Sequence, residues 1–227
     1  MPFQDLPARL AQVNEEIERA RARGGHNQRV GIVAVTKTYG AEAPAAAFDA
    51  GLRDVGENRI QEAVTKMAEV SAPLRWHLIG HLQRNKVKQI DGFHLVHSMD
   101  SARLADALDA HGRSRGRPVD VLMQVNVSGE GTKGGYEPVD GDREADRLRA
   151  MTGLVVHGVM TMAPLEADEA LLRRVFSGAR NVVDALRRAG HPATELSMGM
   201  SGDYEIAVEE GATLVRLGTV LFGARAA

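Results

Sequence analysis

The run Arg29-Val30-Gly31-Ile32-Val33-Ala34-Val35-Thr36-Lys37 ends in a single lysine. Its β-branched and small residues, set between Gly25 and Gly40, read as a fully buried parallel strand with Lys37 at the carboxyl end. That is the end at which α/β folds carry out chemistry. A lysine held partly out of water there has a lowered pKa, and its amine can attack an aldehyde to form a Schiff base. A strand-end lysine can equally run its stem along the sheet to water, so the company it keeps decides what it does.

That company includes an anion site. Met198-Gly199-Met200-Ser201-Gly202-Asp203 leads directly into a helical segment, Tyr204 to Glu210, and Leu217-Gly218-Thr219 supplies a second glycine turn. Small residues let backbone N–H groups and the Ser201 hydroxyl approach phosphate oxygens, although such glycines can also do no more than close tight turns. Arg216 precedes the second turn by two residues, on the same side of its strand as Gly218. It would either meet a carboxylate or reach a ring nitrogen, and it could not give up its proton. An imine-forming lysine and a dianion site in one place suit a cofactor with an aldehyde and a phosphate, pyridoxal 5′-phosphate.

These residues lie far apart in sequence, so the fold must bring them together. Eight apolar runs read as strands: Val30 to Lys37, Leu52 to Asn58, Arg75 to Gly80, Phe93 to Ser98, Val119 to Val127, Leu154 to Met162, Glu195 to Met200 and Leu214 to Gly218. Helical spacing lies between them, as in Leu104, Leu108 and His111 after an Asp100-Ser101 start that looks like an N-cap. The longest apolar stripe is Leu171, Leu172, Val175, Val182, Val183 and Leu186. Ahead of the first strand, Leu6, Leu10, Val13 and Ile17 predict an extra amino-terminal helix. Eight strand and helix alternations predict a (β/α)8 TIM barrel, because closure leaves no edge strand. At roughly 28 residues per unit the loops are short, and residues 1–227 are expected to form one domain.

With 28 basic and 30 acidic residues mixed along the chain, the net charge of −2 gives no broad footprint for nucleic acid or an anionic membrane. The absence of cysteine excludes disulfides and thiolate metal sites. The start, Met1-Pro2-Phe3-Gln4-Asp5, lacks the order of a secretory signal, and no apolar run is long enough to span a bilayer, so a cytoplasmic protein is expected. No long apolar stripe is left over beyond the barrel helices, which points to a monomer. His77, His97 and His157 alternate with apolar neighbours and read as barrel core or wall, and no histidine pair has a metal-ligand spacing with a matching carboxylate. The basic segment Gln83 to Lys88 reads as a solvated helix face or a local docking site.

In these motifs the chain resembles the pyridoxal phosphate homeostasis protein family, which is similar to the amino-terminal domain of alanine racemase. The resemblance runs through Ala34-Val35-Thr36-Lys37, Gly56-Glu57-Asn58, Trp76-His77-Leu78-Ile79-Gly80, Gln83-Arg84-Asn85-Lys86, Gln124-Val125-Asn126, Gly158-Val159-Met160-Thr161-Met162, Leu196-Ser197-Met198-Gly199-Met200-Ser201 and Val215-Arg216-Leu217-Gly218-Thr219. It implies an alanine-racemase-like barrel and Lys37 as the lysine carrying the cofactor in an internal aldimine. It further implies Ser201, Gly218 and Thr219 at the phosphate, Arg216 near the ring nitrogen and Asn58 beside the cofactor, with Met200 among the cofactor-binding residues. The family often has a second lysine and a proline just after the aldimine lysine, where this chain has Thr38-Tyr39-Gly40. A role for a second lysine in handing the cofactor on would then fall to Lys86 or Lys133.

The resemblance implies a carrier that holds pyridoxal 5′-phosphate as a reversible Schiff base, serves intracellular vitamin B6 homeostasis and passes the cofactor to apo-enzymes without turnover. The alternative is a pyridoxal-phosphate-dependent amino-acid racemase. That needs a second base opposite Lys37, which racemases of this barrel type take as a tyrosine from a second domain of a partner subunit. The chain ends at Phe222 to Ala227, soon after the eighth strand, and is expected to lack that domain. Tyr39, Tyr136 and Tyr204 are its only tyrosines. A lysine-dependent aldolase acting on a sugar phosphate is a third reading, set back by the lysine's place on the first strand.

Overall fold

The computed structural model describes residues 3–129 and 134–223. Eight parallel strands close into a barrel in chain order. They are β1 (Gly31–Val35), β2 (Asp54–Glu57), β3 (Arg75–Leu78), β4 (Leu95–Met99), β5 (Val119–Gln124), β6 (Leu154–Met160), β7 (Glu195–Ser197) and β8 (Leu214–Leu217). The seam is the β1–β8 pair, with Val33 opposite Arg216 and Ala34 opposite Leu217. Every strand is shorter at its carboxyl end than the apolar runs predict, except β4, which reaches Met99. The first residue past β1, β3, β5, β6 and β7 still donates its N–H to the neighbouring strand before the chain turns into the crossover.

The helices are α1 (Leu6–Gly24), α2 (Glu42–Asp49), α3 (Ile60–Glu69), α4 (Ala102–Ser114), α5 (Gly141–Arg149), α6 (Glu169–Arg188), α7 (Tyr204–Glu209) and α8 (Thr219–Phe222). The expected extra helix is α1, which buries Leu6, Leu10, Val13 and Ile17 and stops where Gly25 takes φ 70°. It packs on α7 and α8, and Arg23 pairs with Glu205 and Glu209 at 3.1 and 2.5 Å. The α6 stripe is buried as the spacing requires, save the half-buried Leu171, and Asp168 Oδ1 caps the helix by accepting from the Leu171 N–H at 2.7 Å. Burial of each large stripe residue contributes about 1.5–3 kcal/mol.

The basic segment expected as a solvated helix face is one: the crossover after β3 is a 3-10 helix, Arg84–Gln89, in which only Val87 is buried. One local expectation fails: at the start of α4 the Ser101 hydroxyl donates to Asp100 Oδ1 at 3.1 Å and leaves the helix uncapped by its side chain. Where β5 and β6 pair, the register shifts so that Val121 and Leu122 face Val156 and Gly158. His157 is therefore the extra residue of a bulge. Gly158 takes φ 152°, and a Cβ there would lie 1.8 Å from the Glu195 carbonyl oxygen, so only glycine fits.

The main core lies between the strands and the helices. A smaller apolar group, Leu95, Leu122 and Met160 with Met162 and Leu214 against it, forms separately, in the alternate positions that face the barrel interior. The interior also carries buried polar residues, His77, His97, Ser197 and Arg216. No helix among the described residues is long and apolar enough to cross a membrane.

Candidate functional site

Lys37 sits two residues past β1, in a turn at the carboxyl mouth of the barrel, and is half-buried. The strand was expected to run through Lys37; it ends at Val35. Thr36 then donates its N–H to the Gly56 carbonyl at 3.1 Å and its hydroxyl to Glu57 Oε1 at 2.6 Å. Thr38 takes φ 70°, so the chain reverses sharply just after the lysine. Beneath this turn, Lys66 of α3 is buried, with its ammonium 2.7 Å from Glu57 Oε1 and 2.8 Å from Glu62 Oε1. Burial raises the Glu57 carboxyl above its ordinary pKa against the opposing Lys66 and Thr36 bonds, and its Oε2 is buried without a partner among the described residues. Lys66 escapes sequence reasoning because an amphipathic helix with one more lysine reads as solvated.

Neighbouring strands bring the other expected residues to the same level. Val35 pairs with Gly56, so Asn58, two residues beyond Gly56, lies level with Lys37, two residues beyond Val35. Asn58 is half-buried, and Gly80 approaches it so closely that a Cβ would lie 2.3 Å from its carbonyl oxygen. On the other side, Gly218 follows β8 beside Val35, at 3.6 Å from where a Cβ would stand. The two glycine turns meet: Ser201 Oγ accepts from the N–H groups of Gly218 and Val220 at 3.3 and 3.4 Å. Met200 donates its N–H to Asp203 Oδ1 at 2.6 Å, which shapes the turn, and Thr219 is exposed at its rim. Burial raises the Asp203 carboxyl, an effect that the Met200 N–H and Arg216 offset only in part.

Arg216 is 4 % exposed. Its Nη1 donates to the Ser197 carbonyl and hydroxyl oxygens at 2.9 and 2.8 Å, and its Nη2 donates to the Thr161 carbonyl at 2.9 Å. Nε–H is left without an acceptor among the described residues. Burial pushes the guanidinium down to about 10, so it is still cationic at neutral pH.

Behind Arg216 a hydrogen-bonded chain crosses the barrel. Ser197 Oγ is 3.0 Å from His97 Nδ1, His97 Nε2 is 2.8 Å from His77 Nδ1, and His77 Nε2 is 2.9 Å from Asp54 Oδ1. For Asp54, burial alone would raise the pKa, but the bonds from Arg75 and His77 outweigh it and hold the carboxyl well below the usual range. Arg216 can only donate and ionised Asp54 can only accept, which orients every proton between them. Ser197 donates to His97 Nδ1, His97 Nε2–H to His77, and His77 Nε2–H to Asp54. Burial, reinforced by the nearby His77 and Arg216, pushes His97 far below its ordinary pKa and keeps it neutral. His77 and His97 are thus core residues as expected, while His157 is half-buried at the wall and bonds Asp120 at 2.6 Å.

Two of the three tyrosines spend their hydroxyls elsewhere. Tyr39 bonds the Gly223 carbonyl at 3.3 Å and packs its ring on Phe3 and Phe222. Tyr204 donates to Glu16 of α1. Tyr136 is buried with its hydroxyl unpartnered among the described residues, and burial pushes it up to about 12. Lys86 lies in the 3-10 helix with its amine 3.4 Å from Gln61 Oε1, and Lys133 falls outside the described residues. An amine, N–H and hydroxyl donors for an anion, and a buried guanidinium with a spare donor therefore converge at one mouth.

Comparison with known proteins agrees with this geometry. The family model "Alanine racemase, N-terminal domain" matches residues 9–226. A Pseudomonas aeruginosa protein named pyridoxal phosphate homeostasis protein is 42 % identical over 219 residues, 95 % of this chain and 94 % of its own. The Aquifex aeolicus protein of that name is 39 % identical over 96 % of this chain and 97 % of its own. The structure of PipY from Synechococcus elongatus with pyridoxal phosphate bound superposes with TM-score 0.84 at 36 % identity, covering 96 % of this chain and 100 % of PipY. A Clostridium difficile alanine racemase shares the fold alone, with TM-score 0.78 at 16 % identity over 99 % of this chain and 58 % of the racemase. A full-length match in sequence and a shared barrel identify this chain as a member of the pyridoxal phosphate homeostasis protein family.

Proposed function

We propose that this protein binds pyridoxal 5′-phosphate at the carboxyl mouth of its barrel, holds it reversibly on Lys37 and delivers it to apo-enzymes without turnover of its own. The observation that carries this reading is the meeting of the Ser201 hydroxyl with the Gly218 and Val220 N–H groups, one strand away from Lys37. Bound pyridoxal phosphate would supply an aldehyde, with which a lysine amine condenses to a Schiff base by loss of water.

The residues present fit such a group. Lys37 supplies the amine. Met200, Ser201, Gly218 and Thr219 would hold a phosphate through backbone N–H groups and hydroxyls, with Asn58 alongside the ring. Arg216 has a spare Nε–H for a ring nitrogen. Because arginine donates and does not accept, it would keep that nitrogen unprotonated and withhold the electron sink that carbanion chemistry needs. Carriage is favoured over racemisation by the tyrosines as well, since Tyr39 and Tyr204 spend their hydroxyls on Gly223 and Glu16. In this reading the working form is a cytoplasmic monomer, whose evenly mixed charge offers no broad surface to nucleic acid or an anionic membrane.

Titration with pyridoxal 5′-phosphate, borohydride reduction and peptide mass mapping test the proposal, with Lys37→Ala alongside. The expected adduct maps to Lys37 and vanishes in the variant, and amino-acid racemisation on the same sample stays at background. An adduct scattered over surface lysines overturns the site, and turnover of an amino acid overturns the carrier role.

A further inference from the structure

The two peptide groups on either side of Lys37 are bonded to one buried ion cluster. The Thr36 carbonyl, which precedes the lysine, accepts from Lys66 Nζ at 2.8 Å. The Thr38 N–H, which follows it, donates to Glu62 Oε1 at 2.6 Å. Lys66 joins the two, because its ammonium also donates to Glu62 Oε1 at 2.8 Å and to Glu57 Oε1 at 2.7 Å. An ammonium has three N–H donors, and here all three are taken.

This cluster is an odd way to dock a helix. Lys66 follows Ile60 and Ala63 on the buried face of α3, where a third apolar side chain would pack against the strands with less desolvation. Its bonds go instead to the turn. The turn needs holding: Thr38 is β-branched and takes φ 70°, a region such residues disfavour, so without outside bonds the backbone after Lys37 would relax towards negative φ.

We propose that Lys66 is a positioning residue for Lys37: with Glu62 it fixes both flanking peptide planes and so presents the Lys37 amine for condensation with an aldehyde ligand. The condensation forms a C–N bond between Nζ and the aldehyde carbon and expels the aldehyde oxygen as water, and water reverses it, with no change of oxidation state. This inference rests on the pyridoxal phosphate reading, and the test separates the two.

The probes are pyridoxal 5′-phosphate and pyridoxine 5′-phosphate, whose alcohol cannot condense with an amine. Wild type and Lys66→Met are compared for the fraction of protein fixed to Lys37 by borohydride at a set ligand concentration, and for pyridoxine 5′-phosphate affinity. Lys66→Met is expected to lower adduct formation about tenfold, as misplacement of a reacting group does, with pyridoxine 5′-phosphate affinity unchanged. An unchanged adduct, or equal loss with both probes, overturns the positioning role. If Lys66→Met does not fold by circular dichroism, Glu62→Leu, which frees the Thr38 N–H from a half-buried site, decides on the same two readouts. No adduct in the wild type overturns the underlying reading instead.

Discussion

Arg216 and Ser197 are bonded twice over: Nη1 reaches both the hydroxyl and the carbonyl oxygen of Ser197, at 2.8 and 2.9 Å. The hydroxyl is therefore the link through which the guanidinium meets the histidines, since it accepts from Arg216 and turns its proton to His97 Nδ1. Ser197→Ala removes one acceptor from a buried cation and the donor of a buried imidazole. A buried group left unsatisfied costs about 1–3 kcal/mol, and urea denaturation of the variant should show a loss of that size with an unchanged slope. A loss within about 0.5 kcal/mol, as for an ordinary surface change, would mean that the chain from Arg216 to Asp54 has no energetic role.

The buried histidine makes the fold acid-sensitive. His97 has its pKa lowered from 6.5 by burial, so the unfolded chain takes up a proton that the folded one refuses. Stability from this group is present above 6.5 and falls as pH drops below it, by at most about 1.4 kcal/mol per pH unit for one proton. His94, lowered by partial burial, adds in the same direction. Glu57, raised by burial, acts in the opposite direction above its ordinary 4.5. The test is thus the difference in slope between wild type and His97→Leu from pH 6.5 to 5, where the variant should lose stability less steeply. Parallel slopes would show that His97 titrates normally.

Much of this arrangement was legible because a parallel barrel strand is apolar on both faces and carries its polar residues just past its end. Lys37, Asn58, Ser201 and Gly218 were found that way, and the structure brings all four to one mouth. The carboxyl ends of the strands were overread, since Thr36 and Ile79 each give one last N–H bond to β2, at Gly56 and Glu57, before the chain turns away. Lys66 was not legible: its neighbours Thr36, Glu57 and Glu62 come from three elements, and only the packing of α3 on β1 and β2 shows that its charge is buried. The alternation around His77 and His97 marks them as interior, yet their bond depends on the β3–β4 register, which alternation does not encode.

Gly158 is the residue on which the β5–β6 bulge depends. Its φ of 152° suits only glycine, and a Cβ would lie 1.8 Å from the Glu195 carbonyl oxygen. The obstruction is backbone in the neighbouring strand, so no side chain can move aside. Gly158→Ala should destabilise by roughly 4 kcal/mol or more, at the exceptional end for a point change, read as loss of soluble protein or a large fall in Tm. A variant that folds with nearly normal Tm would mean that the bulge can slide along β6.

The phosphate assignment can be tested apart from Lys37. Ser201 Oγ already gathers the Gly218 and Val220 N–H groups, so it marks where an anion's oxygens would compete for the same donors. Ser201→Val replaces the hydroxyl with two methyl groups and leaves the Lys37 turn, on another strand, untouched. Affinity for pyridoxine 5′-phosphate, which needs the anion site and not the amine, should fall about tenfold, the equivalent of one hydrogen bond to a charged group. Unphosphorylated pyridoxal, which can still meet the amine, should bind as before. If both ligands weaken together, Ser201 supports the mouth as a whole, and the anion site lies elsewhere.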